Sequence, residues 1–128
     1  MIAIGIGANS RATSDDVVAA IMSASCETNG ADIVATLQNA AFANLVEEAA
    51  CRHAFVYKAY STEVMRERND DCLTCSLRTL ELFGVSSVAE CAALAGAGPA
   101  SRLVIARRII GNVTVAAAKS ADSKVTTP

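Results

Sequence analysis

Three groups of residues have types and spacings suited to chemistry. The first is residues 5–11, GIGANSR, where an apolar stretch passes into a polar loop. Such loops cradle anions when free N–H groups at a helix start point toward a ligand. Gly5 and Gly7 would allow close backbone approach, and Asn9, Ser10 and Thr13 would offer polar side chains. Arg11 adds a guanidinium suited to a carboxylate. The run is not a dinucleotide fingerprint, because the third glycine is missing and no acidic residue closes the second apolar stretch. It is not a P-loop either. A tight turn that packs strand against helix is an equally good reading.

The second group is Ser86, Ser87 and Glu90, ahead of the apolar run VAECAALAGAG. Ser87 and Glu90 have the spacing of a capping box. A carboxylate at a helix start, beside two hydroxyls, also suits a general base or a ligand contact. Glu90 is therefore the candidate catalytic residue, and Ser86 and Ser87 are candidate ligand contacts.

The third group is sulfur and imidazole. Cys72 and Cys75 have CxxC spacing. A zinc site needs about two more ligands, and His53 is the only histidine. A redox CxxC is expected at a helix start that follows a strand, which this segment is not. No metal and no cofactor are expected. His53 ends an amphipathic stretch, where a histidine ordinarily meets the helix dipole. Arg107 and Arg108 should fall on opposite faces of a strand.

Regular elements must position these groups. Residues 2–7 alternate Ile with Ala or Gly and suit a buried central strand. Thr13 with Asp16 resembles a capping box, and Val17, Val18, Ile21 and Met22 recur at helical spacing over 15–26. Residues 32–37 and 55–60 predict two more strands, with a helix over 43–53 between them. Ser61 can cap a short helix, TEVMRERND. This rhythm implies βαβ crossovers. Residues 71–83 show no clear periodicity. A helix then runs from Ser87 to Gly96 or Gly98, with Pro99 beyond. RLVIARRII and VTVAAAK flank Gly111–Asn112, which suits a type II′ hairpin. The fold class is α/β: a three-layer α/β/α sandwich with a mixed, mostly parallel sheet and a C-terminal β-hairpin. Residues 1–119 form one domain, and 120–128 are expected to be a disordered tail.

Composition narrows the function. The chain has 128 residues, of which 52% are hydrophobic, no Trp, and a net charge of −2. No basic stripe offers the phosphate contacts that nucleic-acid binding needs. No apolar run approaches the roughly 20 residues of a membrane span. The opening MIAIGIGANS has no basic residues ahead of its apolar run and reads as a strand, not an export signal. Five cysteines, an odd number, then fit a reduced, cytoplasmic setting.

The pattern as a whole resembles the CobE/CbiG C-terminal domain family of cobalamin biosynthesis. The matching pieces are IGIGANSRATSDDV, YSTEVM, GVSSVAECAALAGAG and the closing VTVAAAK. GVSSVAE is the most specific of them. The resemblance implies a three-layer α/β/α fold, a cytoplasmic location and action on a corrin-ring intermediate. Other cobalamin-pathway enzymes are implied partners. In fused relatives the polypeptide opens a lactone on cobalt-precorrin-5A and releases acetaldehyde. This chain looks like the stand-alone type. It departs from the family pattern at Ser86, where relatives often carry Pro, and at LQNAAFAN, where they often carry a Lys. An uncharged LQNAAFAN shifts weight from catalysis toward binding. The expected site joins the loop after the first strand (Gly5, Gly7, Asn9, Ser10, Arg11, Thr13) with the helix start at Ser86, Ser87 and Glu90. The alternatives are a carrier for an unstable corrin intermediate and a regulatory module whose GIGANSR loop holds a phosphate.

Overall fold

The computed structural model describes residues 1–121. Residues 122–128, most of the expected tail, lie outside the described residues. Strands β1 (Ile2–Ala8), β2 (Ile33–Leu37), β3 (Val56–Tyr60), β4 (Arg102–Ile110) and β5 (Val113–Lys119) form one sheet in the order β3-β2-β1-β5-β4. The β1–β2 and β2–β3 pairs are parallel, and β5 runs antiparallel to both β1 and β4. Four strands thus share one direction, and the C-terminal hairpin inserts its second strand beside β1. Gly111 takes φ +61. Asn112 does not share that sign, which is the pattern of a II′ turn.

Helices cover both faces. On one face lie α1 (Ser14–Glu27) and α2 (Ala43–Arg52). Thr13 and Asp16 form both halves of a capping box at the start of α1. Val17, Ala20, Ile21 and Ala24 form its buried stripe. Of the expected stripe, Val17 and Ile21 are in it, Val18 is half-buried and Met22 is exposed. They meet Ile4, Ile6, Val34, Val113, Val115 and Ala117 in one aliphatic core. The other face carries α3 (Thr62–Arg66), a single 3-10 turn (Asn69–Asp71), α4 (Leu77–Phe83) and α5 (Val88–Ala97). Here the sheet presents Ala3, Gly5, Ala35, Ala116 and Ala118, and α5 presents Ala89, Ala92, Ala93 and Gly96. With so little side chain between them, backbone meets backbone. A Cβ on Gly5 would stand 1.9 Å from the carbonyl oxygen of Ala89 and 2.5 Å from the nitrogen of Ala93.

Helix α4 departs from the sequence expectation, which placed no regular element over 71–83. Ser76 caps it by accepting from the Thr79 N–H, and Gly84 closes it at φ +71. None of its residues is buried. Leu77 and Leu82 are exposed on different sides, so the sequence carries no single apolar stripe.

The chain ends of the domain meet. The Ser120 N–H donates to the Met1 carbonyl at 2.9 Å, and the Met1 ammonium donates to Ser120 Oγ at 3.0 Å. The tail expected from residue 120 therefore begins with a residue tied to the sheet.

Candidate binding cleft at the carboxyl edge of the sheet

The parallel strands β1, β2 and β3 end on one edge. The hairpin tip also lies there, because Ala8 pairs with Val113. So does the start of α5: a Cβ on Gly7 would lie 3.3 Å from the Cβ of Val88. Open α/β sheets bind ligands outside these strand ends. The expected loops therefore do share an edge, but most of their residues serve the fold.

Gly5 and Gly7 are buried beneath α5 and fill no ligand-facing role. Their missing side chains admit a helix, not an anion. Thr13 is occupied by the α1 cap, where its Oγ1 accepts from the Asp16 N–H and its own N–H donates to the Asp16 carboxylate. Ser87 is 1% exposed, and its Oγ accepts from the Glu90 N–H. Only this half of the expected capping box forms. The Glu90 side chain turns away and is wholly buried. Its Oε1 accepts from the Leu73 and Thr74 N–H groups, both at 2.9 Å, and its Oε2 accepts from the Arg107 N–H at 2.8 Å. The Arg107 N–H is free because β4 slips register between Ile105 and Arg108. Glu90 thus ties the α3–α5 connection and a strand bulge to α5. A general base must reach the proton it removes. A carboxylate enclosed on three backbone donors is a positioning group and corrects the expected catalytic role.

Asn9, Ser10 and Arg11 remain exposed. Asn9 Oδ1 accepts from the Arg11 N–H at 2.8 Å, and Asn9 Nδ2 donates to Asn112 Oδ1 at the hairpin tip. These bonds fix the loop and leave the Arg11 side chain outward. Ser86 is half-buried, and its N–H donates to Asn69 Oδ1.

The concavity on this edge lies beside those loops, at the ends of β2 and β3. It has a volume of about 380 Å³ and is lined by Leu37, Gln38, Asn39, Ala40, Ser61, Thr62, Glu63 and Phe83. The uncharged QNA stretch forms one wall. Asn39 holds φ +64, a left-handed conformation uncommon outside glycine. Ser61 and Thr62 begin α3 on the opposite wall, with Ser61 Oγ accepting from the Val64 N–H. The Glu63 carboxyl is held below the usual range by its own backbone N–H, then by the Thr62 hydroxyl, and it stays ionised. Arg66 is exposed outside the lining, and its Nε donates to the Phe83 carbonyl at 3.0 Å, which holds the guanidinium beside Gly84 at the end of α4. A smaller depression of about 200 Å³, lined by Ile2, Glu27, Thr28, Val104 and Ile105, lies at the amino edge, away from these groups.

Sequence reasoning missed Gln38, Asn39, Thr62, Glu63, Arg66 and Phe83 as a group. The available signal was position: both YSTEVM and LQN follow predicted parallel strands, so both belong at the carboxyl edge.

His53 follows α2 and is exposed. The described residues contain no group of three or more His, Cys, Asp or Glu able to hold a metal. Cys72 meets a sulfur, but it is Cys91 at 3.1 Å and not its motif partner Cys75. No single helix among the described residues is long and apolar enough to cross a membrane.

The family model described as cobalamin synthesis G C-terminus matches residues 2–118. The crystal structure of CobE, a protein from the cobalamin (vitamin B12) biosynthetic pathway, superposes with a TM-score of 0.82 at 23% identity and covers 92% of each chain. That likeness is one of fold. The cobalamin biosynthesis protein chiG from Agrobacterium tumefaciens str. C58 superposes with a TM-score of 0.76 at 33% identity, covering 95% of this chain and 100% of that one. No curated protein matches the sequence. With its family model spanning nearly every described residue and a one-third-identical relative covered end to end, the chain belongs to the cobalamin synthesis G C-terminal family.

Proposed function

We propose that the chain binds a corrin-ring intermediate of cobalamin biosynthesis at the carboxyl edge, with the cleft between Asn39 and Thr62 receiving one arm of the ring. The observation that carries this reading is the cleft itself. It sits where open α/β sheets bind ligands, and it combines hydroxyls, amides, one ionised carboxylate and an adjacent guanidinium. Pockets that enclose a drug-sized ligand run to about 300–1,000 Å³. This one is near the low end, so it suits a side arm or a lactone and leaves the macrocycle outside. Ring carboxylates then meet Arg66 and, farther along the edge, Arg11. Location in the cytoplasm, and hand-over to or from other enzymes of the pathway, go with this reading.

A catalytic reading has its own support. Glu63 is the ionised carboxylate of the cleft, and a positioned carboxylate can draw a proton from water attacking a lactone. The water oxygen would join the lactone carbonyl and the ring ester bond would break; the freed alkoxide would then collapse to acetaldehyde as its C–C bond to the macrocycle breaks, and the ring would take up the proton. Titrating a precorrin-5A-type intermediate into the wild type, Arg66→Ala and Thr62→Val tests binding. Affinity should fall about tenfold or more in Arg66→Ala, as for loss of one charge-assisted contact. Unchanged affinity in both variants sinks the cleft assignment. Acetaldehyde beyond one equivalent from the wild type, lost in Glu63→Gln with affinity retained, marks an enzyme. No acetaldehyde from a chain that binds marks a carrier.

A further inference from the structure

The sequence draws attention to Cys72 and Cys75, but the fold brings Cys72 to a different sulfur. Cys91 lies in the first turns of α5 and is wholly buried. Cys72 follows the 3-10 turn and is half-buried. Their Sγ atoms stand 3.1 Å apart, and either can be the donor. Cys72 Sγ also contacts the Arg68 carbonyl at 3.6 Å, and Cys91 Sγ contacts Asn69 Oδ1 at 3.4 Å. The backbone around both is held. Glu90 fixes the N–H groups of Leu73 and Thr74, and α5 packs against β1. The two sulfurs therefore face each other in a rigid setting, with one side open to solvent. All five cysteines are free thiols.

We propose that Cys72 and Cys91 form an oxidative-modification site, a dithiol that a hydroperoxide closes to a disulfide. The bond between the sulfurs, with burial, pushes the Cys72 thiol up, and the same bond holds the Cys91 thiol down, so the shared proton rests on Cys72. The Cys91 thiolate attacks one oxygen of a peroxide that enters from the half-exposed Cys72 side. The O–O bond breaks, and hydroxide leaves and takes up a proton to become water. Cys91 is left as a sulfenic acid. The Cys72 sulfur then attacks the Cys91 sulfur; the S–O bond breaks, the S–S bond forms and a second water leaves. The two thiols together lose two protons and two electrons, and hydrogen peroxide is reduced to two waters. The sulfurs need to close by only about 1 Å to reach the ordinary S–S length of about 2.05 Å. Cys75 is exposed and has no such partner. The bond encloses α4, Phe83 of the cleft wall, and the start of α5, so oxidation fastens the connection that shapes the cleft.

The test uses the full chain, reduced and then exposed to hydrogen peroxide, with peptide mapping under non-reducing conditions. The expected result is a peptide linking residues 72 and 91, a drop from five titratable thiols to three, and a Tm higher by roughly 5–15 °C that thiol reductant reverses. Cys75→Ser should still give the linked peptide, the loss of two thiols (now from four to two) and the rise in Tm, whereas Cys72→Ser should abolish the linked peptide. Cys72→Ser changes the partly exposed member of the pair, which keeps the test usable if Cys91→Ser fails to fold. A 72–75 linkage overturns the proposal, as does sulfinic acid at Cys72 or Cys91 without a cross-link, or retention of both thiols under peroxide that oxidises the exposed Cys26 and Cys51.

Discussion

The two faces of the sheet are built on different principles. Toward α1 and α2 the sheet presents Ile4, Ile6, Val34 and Val115, and branched side chains fill the gap in the ordinary way. Directly under α5 it presents mostly alanine and glycine, and the helix backbone rests almost directly on the strands. Larger side chains such as Leu37, Met65, Val85 and Leu94 pack around that close contact, and directed polar contacts hold the helix at both ends. At its start, Ser87 caps and Glu90 ties in two other segments. At its end, Arg68 is 8% exposed, and its Nη1 donates to the carbonyls of Leu94 and Gly98 and to Ser101 Oγ, while Nη2 donates to the Ser101 carbonyl. A guanidinium at a helix C-terminus satisfies orphan carbonyls and opposes the dipole. The lesson is that one face tolerates small changes in volume, and the other depends on atoms that are absent and on a few hydrogen bonds.

The sharpest way to break the contrast is Gly5→Ala. The added methyl meets backbone atoms of α5, which cannot rotate away. We expect a loss of about 4 kcal/mol or more, above the usual range for overpacking, measured by urea unfolding. Glu90→Ala comes next, at about 3 kcal/mol, because three partly buried N–H groups lose their acceptor and a buried site is emptied. Arg68→Met should cost about 2–3 kcal/mol through the freed carbonyls at the end of α5. On the opposite face, Ile4→Val should cost only about 1 kcal/mol. If Ile4→Val proves as damaging as Gly5→Ala, the contrast between the faces is wrong.

The smallest effect belongs to the surface. Arg108 grips Glu27 through two hydrogen bonds, at 2.7 and 3.1 Å, with both side chains close to half exposed. The Arg108 hydrogen bond holds the Glu27 carboxyl below its ordinary range. A group lowered on folding stabilises above its unfolded pKa, and that contribution disappears as pH falls through the lowered folded value. Arg108→Ala should therefore lower stability slightly at neutral pH, with the difference from wild type vanishing as pH falls through the Glu27 range, so that the acid limb is slightly flatter. The difference should fade in about 1 M salt.

The sequence was most informative where periodicity and packing agree. β1, α1 and α5 were legible because Ile2, Ile4 and Ile6, the recurrence of Val17 and Ile21 and the run after Ser87 are consistent with their neighbours, although Met22, read as part of the α1 stripe, is exposed. Helix α4 was illegible because it buries nothing. Ser87 was read correctly as a cap, while Glu90 was misassigned. Its partners lie 16 and 17 residues away on segments whose approach depends on a strand bulge, and no local spacing encodes that. GIGANSR drew attention as a ligand loop because glycine permits close approach of any atom. What approaches here is a helix. The cleft residues were individually visible, but their meeting depends on the sheet order that sets β2 beside β3.

The clasp between Met1 and Ser120 has a topological consequence. Both ends of the domain emerge together at the amino edge, on the far side of the sheet from the cleft. A short linker could join residue 120 to residue 1, and new ends could be opened at the exposed turn of Asn29 and Gly30, without reordering a strand. Domains with adjacent surface termini tolerate such circular permutation. By the same geometry, this unit can be spliced into or onto a larger polypeptide with its cleft still facing outward.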